Sequence, residues 1–188
     1  PEPHRYESLS NEVRALCEDT EHNLWVGLKD GKIRIYDKNR TELGYFTETG
    51  TISHTGVPLK GNTYCIFQDS KHNIWIATKG EGLVKARPQG GGHYKLTRYC
   101  HSRDDIYSLS DNNVYCVYED VKGRIWVATF GGGINYLTHN RGGREIFVNH
   151  RNNLKGFPID NCHKVRFVTG DHRGNIWIAT TVGALMVN

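Results

Sequence analysis

Along this chain the apolar positions fall in short runs, and the runs recur at a long period. Four segments read VRALCEDTEHNLWVGL, TYCIFQDSKHNIWIAT, VYCVYEDVKGRIWVAT and VRFVTGDHRGNIWIAT. Their tryptophans, Trp25, Trp75, Trp126 and Trp177, stand 50, 51 and 51 residues apart. An aspartate lies six residues before each: Asp19, Asp69, Asp120 and Asp171. Self-similarity at such a period marks a repeat architecture.

Each copy has the same internal logic. An apolar run (13–17, 64–67, 114–118, 165–168) leads to the aspartate, and a polar turn follows: EHN, KHN, KGR or RGN. An aspartate carboxylate accepts backbone N–H groups along such a turn, and Gly or Asn tolerates positive φ within it. His22 and His72 stand where the later copies have Gly, which makes them turn residues rather than metal ligands. The apolar run around the Trp is next, then a glycine-bearing turn (KDGK, KGEG, FGGG, TVGA) and a third run from Ile33, Leu83, Ile134 and Leu185. These are three strands joined by hairpins. A more polar fourth strand is expected in the first three copies, in GYFTE at 44–48, HYKLTRY at 93–99 and REIFVNH at 144–150.

Four antiparallel strands per unit at this period predict an all-β fold of β-propeller blades. LWVGL, IWIAT and IWVAT are apolar at nearly every position, so both faces need cover, as between two neighbouring blades. The Trp then packs between blades, its N–H requiring a partner. The expected organisation is one domain over 1–188, a partial propeller with repeats at about 12–62, 63–113, 114–164 and 165–188, the last incomplete. Residues 4–7 (HRYE) are the only weak candidate for a strand that would close a ring. An arc without closure exposes apolar blade faces, so self-association or further blades of a parent chain are expected.

Composition narrows the function. Net charge is +4 without a Lys/Arg block, which argues against nucleic acid as a partner. No run approaches the roughly 20 apolar residues that cross a bilayer. The five cysteines include no CxxC pair, and Cys17, Cys65 and Cys116 read as small core residues. HExxH and calcium-loop patterns are missing, and the four aspartates follow the repeat, so no metal, cofactor or catalytic residue is assigned. The glycines at 131–133 lie between strands rather than opening a helix, unlike a phosphate loop.

The string V-x-x-[ILVF]-x-x-D-x-x-[GH]-N-[IL]-W-[IV]-[GA]-T, best matched by EDVKGRIWVATFGGGINYL and IWIATKGEGLVKA, resembles the two-component regulator propeller repeat. Val13 to Val187 are covered by the resemblance. It implies the periplasmic sensor region of a Bacteroidetes hybrid two-component system, with a membrane-anchored parent carrying a histidine kinase, a receiver and a DNA-binding region. Many such sensors are taken to respond to carbohydrates. The chain itself carries no kinase motif. Unit 1 departs from the family string with WVGL and unit 4 with a single turn glycine.

Function is then expected where the units differ, in the loops between strands two and three and those entering the next blade. The candidate ligand-binding residues are Lys79, Glu81 and Phe130 from the first set and Arg103 and Tyr107 from the second. A flat aromatic beside forked polar groups suits an oligosaccharide. The leading expectation is a non-catalytic sensor module. The alternatives are a propeller lyase or hydrolase, and a protein-interaction scaffold.

Overall fold

A computed structural model describes residues 12–187. The HRYE segment at 4–7 lies outside the described residues. Four antiparallel sheets follow one another along the chain. The first contains β1 (Val13–Glu18), β2 (Leu24–Leu28), β3 (Ile33–Tyr36), β4 (Glu42–Phe46) and β5 (Ile52–Ser53). The second contains β6 (Asn62–Gln68), β7 (Ile74–Lys79), β8 (Leu83–Gly90) and β9 (His93–Tyr99). The third runs through β10 (Val114–Glu119), β11 (Ile125–Thr129), β12 (Gly133–His139) and β13 (Glu145–Val148). A short helix, α1 (Ile159–Cys162), precedes the last sheet of β14 (Val165–Gly170), β15 (Ile176–Thr180) and β16 (Gly183–Val187). Each sheet is a meander in which every strand pairs with the next in sequence.

The first strands of the four blades stand beside one another: β1 lies against β6, β6 against β10, and β10 against β14. They form the inner edge of an arc of β-propeller blades, and β9 and β13 lie on the outer side. The expected polar fourth strands are present in the first three blades, as β4, β9 and β13. The two-residue β5 and the helix α1 occupy stretches that read as loops in the sequence.

Each blade is held to the next by its tryptophan. Trp25 packs with Phe46 against Ile66, Ile74, Ile76 and Val84 of the second blade, and its ring meets Tyr94 edge-on at 5.6 Å. Trp75 packs against Val114, Val117, Ile125 and Val127 of the third blade. Trp126 packs against Val165, Val168, Ile176 and Ile178 of the fourth. Indole burial of this kind removes on the order of 200 Å² of mostly apolar surface per blade junction. Trp177 is the exception: the first three tryptophans are 0–2% exposed, and Trp177 is 41% exposed beside exposed Phe167 and Met186. No further blade covers it among the described residues.

Polar contacts add register between blades. Gln68 Oε1 accepts the Thr20 N–H at 2.8 Å, and Glu119 accepts both the N–H and hydroxyl of Ser70 at 2.7 Å. Lys85 Nζ bonds Glu145 at 2.7 Å across the second junction.

Candidate functional site

The Asp-led turn is the same structure four times. Asp69 Oδ1 accepts the N–H groups of Lys71 and Asn73 at 2.9 and 2.8 Å, and Oδ2 accepts the Trp75 indole N–H at 2.8 Å. Asp19, Asp120 and Asp171 repeat the indole bond to Trp25, Trp126 and Trp177 at 2.9, 2.8 and 2.9 Å. His22 and His72 have φ of 63°, matching Gly123 and Gly174 at 73° and 82° in the equivalent turns. The aspartates are therefore occupied structurally. Burial works against the Asp120 carboxylate, but hydrogen bonds from Trp126 and Arg124 outweigh it and hold its pKa below the usual range.

The opposite ends of the blades, where the hairpins between the second and third strands lie, carry the more informative chemistry. The loops entering the next blade meet these hairpins: Gly80 and Gly82 donate to Asn112 O at 3.1 and 3.0 Å, and Gly131 and Gly133 donate to His163 O at 2.9 Å. In units 2 to 4 the closing threonine of the tryptophan strand bonds the hairpin carbonyl, as Thr129 Oγ1 does to Gly133 O at 2.8 Å.

At this end every inner strand has a β-bulge at the same position. The register of β1 with β2 shifts between Val13 and Ala15, that of β6 with β7 between Thr63 and Cys65, that of β10 with β11 between Val114 and Cys116, and that of β14 with β15 between Val165 and Phe167. The extra residues are Arg14, Tyr64, Tyr115 and Arg166. A bulge turns its extra side chain out of the alternation of the strand, and bulges are common beside functional sites.

These four residues join into one row across the arc. The Arg14 guanidinium lies 5.0 Å from the Tyr64 ring centroid. Tyr64 stacks on Tyr115 at 4.5 Å and 13° between planes. Tyr115 stacks on Phe130 at 4.8 Å and 12°. Arg166 and Lys164 cap Phe130 at 5.1 and 5.6 Å. Arg14, Lys164 and Arg166 are exposed, and the three rings are half-buried. Burial and the neighbouring Tyr64 push the Tyr115 hydroxyl up, against an opposing pull from Arg166 and Arg14. Among the described residues no carboxylate pairs with Arg14, Lys164 or Arg166.

Of the residues expected from sequence, Phe130 belongs to this row. Lys79, the last residue of β7, takes the place in the second blade that Phe130, next after β11, takes in the third, and it is exposed. Glu81 is held by Lys60 at 3.0 Å. Arg103 and Tyr107 lie elsewhere: Tyr107 O accepts the Phe147 N–H at 2.9 Å, on β13 at the outer side of the blade. Their loop is pinned by a satisfied polar network. Arg151 reaches Ser102 O at 2.8 Å, Asn149 reaches Ser108 O at 3.0 Å, and Asn152 reaches Ile106 O at 2.8 Å. The structure thus does not bring Tyr107 and Arg103 to Phe130. Sequence reasoning passed over Arg14, Tyr64, Tyr115 and Arg166, although they recur at the spacing of the tryptophans, at the bulge position of each inner strand. Among the described residues no group of His, Cys, Asp or Glu is arranged to hold a metal ion.

An arc of meander blades, each locked by an Asp–Trp pair and the first three packed through their tryptophans into the next, defines a β-propeller. Residues 7–30, 58–80 and 108–131 match the two component regulator propeller family. The chain is also similar to Histidine kinase P4 of Formosa agariphila, at 30% identity over 71 residues, which is 38% of this chain and 5% of that protein. Among solved structures it is similar to the extracellular domain of a hybrid two component system from B. thetaiotaomicron, with a TM-score of 0.68 and 24% identity over 99% of this chain and 23% of that one. It is likewise similar to a streptogramin B lyase, with a TM-score of 0.61 and 17% identity over 93% of this chain and 53% of that one. These structural likenesses speak to the fold. The chain spans only a small part of the histidine kinase and of the hybrid-system domain.

Proposed function

We propose that this chain is a non-catalytic ligand-recognition module in the periplasmic sensing region of a hybrid two-component signal-transduction protein, and that its ligand is a carbohydrate. The observation that carries the reading is the row from Arg14 to Arg166. It sets hydrogen-bonding and aromatic groups from four blades side by side, and the repeat positions that hold each blade together do not contribute to it. The three segments that match the two component regulator propeller family support the sensor role, since that family is named for that context. A bound ligand touching several blades favours one spacing of the arc over another, which is the differential contact a signalling switch needs.

The lyase-like neighbour motivates the second reading, an enzyme on the same scaffold. A glycan array probed with this chain, followed by mass spectrometry of the retained glycan, separates the readings. Retention of a glycan that stays intact supports the sensor module. Retention with cleavage or elimination supports the enzyme. Binding to no glycan contradicts the carbohydrate assignment and leaves the protein-interaction scaffold.

A further inference from the structure

The row across the inner strands is a sandwich, and a sandwich presents its edges. Tyr64, Tyr115 and Phe130 lie face to face, and the two outer faces of the stack are covered by Arg14 at one end and by Lys164 and Arg166 at the other. The negative ring faces are spent on one another and on cations. What remains for a ligand is the other pole of each group: electropositive ring edges, the two tyrosine hydroxyls and the N–H edges of two guanidiniums. The stacking of a neutral sugar ring on an aromatic face, expected of Phe130 from its sequence position, is closed off here.

The surface left is rich in donors and positive in charge. No carboxylate among the described residues neutralises Arg14, Lys164 or Arg166, whereas Lys29, Lys60, Lys85, Arg98 and Arg124 all have acidic partners. Arg14 of the first blade lies over Tyr64 and Arg166 of the fourth over Phe130, so cations from both ends of the arc flank the row. Planar guanidiniums suit carboxylate and sulfate groups, which they bind through two parallel hydrogen bonds.

We propose that Arg14, Tyr64, Tyr115, Phe130, Lys164 and Arg166 form the binding site for an anionic oligosaccharide, held by its carboxylate or sulfate groups. This deepens the carbohydrate reading and rests on it. The guanidiniums at the two ends take the acidic groups, and the tyrosine hydroxyls take sugar oxygens between them. The stack keeps the guanidiniums oriented before the ligand arrives, which limits the ordering cost of binding.

The test is native affinity electrophoresis of this chain through gels containing polygalacturonate, dextran sulfate or neutral glucomannan. Retardation by polygalacturonate or dextran sulfate is expected, falling with added salt, and the comparison of those two gels separates carboxylate from sulfate recognition. The double variant Arg14→Gln, Arg166→Gln should weaken it about tenfold. A charge-matched control, Arg141→Gln with Arg173→Gln at exposed sites away from the row, should change it by less than about twofold. Circular dichroism confirms that both fold. Equal loss in both double variants overturns the proposal in favour of net charge alone. Retardation only by glucomannan overturns the anionic class while the carbohydrate reading stands. Retardation by none of the three overturns the proposal, and an array hit on a neutral glycan would then still preserve the reading beneath it.

Discussion

The indole N–H of Trp75 donates to Oδ2 of Asp69, six residues earlier, at 2.8 Å. The other oxygen of the same carboxylate caps the turn between them. One residue thus closes the hairpin and satisfies the polar atom of the side chain that welds two blades together, which explains why the pair recurs as a unit. Asp69→Ala leaves a buried N–H and two turn N–H groups without acceptors and should cost about 3 kcal/mol. Trp75→Phe retains most of the apolar burial and should cost about 1–2 kcal/mol. Urea midpoints measure both, and an Asp69→Ala variant as stable as the parent contradicts the account.

Stability should fall in acid. Burial pushes Glu145 up, but hydrogen bonds from Lys85 and Tyr99 prevail and leave its pKa lowered, as the turn bonds do for Asp120. A carboxylate whose pKa is lower folded than unfolded adds stability above the ordinary value near pH 4. That contribution is lost as pH falls through the folded pKa. Urea midpoints from pH 6 down to 2.5 should therefore drop below about pH 4, and Glu145→Gln should flatten that limb.

Thr63 offers a repair. Its hydroxyl is buried and has no hydrogen-bond partner among the described residues. The equivalent positions in the other blades are Val13, Val114 and Val165. Thr63→Val removes an unsatisfied group at constant shape and should stabilise the protein by about 1 kcal/mol. A lower denaturation midpoint for the variant would show that the hydroxyl is in fact satisfied.

The uncovered face of the fourth blade should drive association. Trp177, Phe167 and Met186 are 41%, 54% and 48% exposed, on the face that in the other blades receives the next blade. We expect a second copy of this chain to cover it. Light-scattering mass should rise with concentration, and Trp177→Glu should abolish the rise. A constant monomeric mass for the parent protein would contradict this.

The blades were legible in the sequence because their determinants are local. Asp and Trp sit six apart within one hairpin, and the exchange of His22 and His72 for glycine reported the left-handed turn that the structure shows. The inner-strand row was not legible in the same way. A bulge is a shift in hydrogen-bond register, and VRALC or VYCVY reads as an ordinary apolar strand whether or not it contains one. Only aligning the copies brings out Arg14, Tyr64, Tyr115 and Arg166 as non-aliphatic at one shared position. Tyr107 and Arg103 show the converse. Their loop is polar in sequence, but its path is set by Asn149, Arg151 and Asn152, some forty or more residues away.

The most direct test of ligand recognition at the inner strands is an NMR titration of the tyrosine-labelled chain with tetragalacturonate. The account predicts that ring signals of Tyr64 and Tyr115 shift in proportion to ligand and that Tyr107 stays in place. Shifts at Tyr107 with Tyr64 and Tyr115 unmoved, or no tyrosine shift at all, would contradict it.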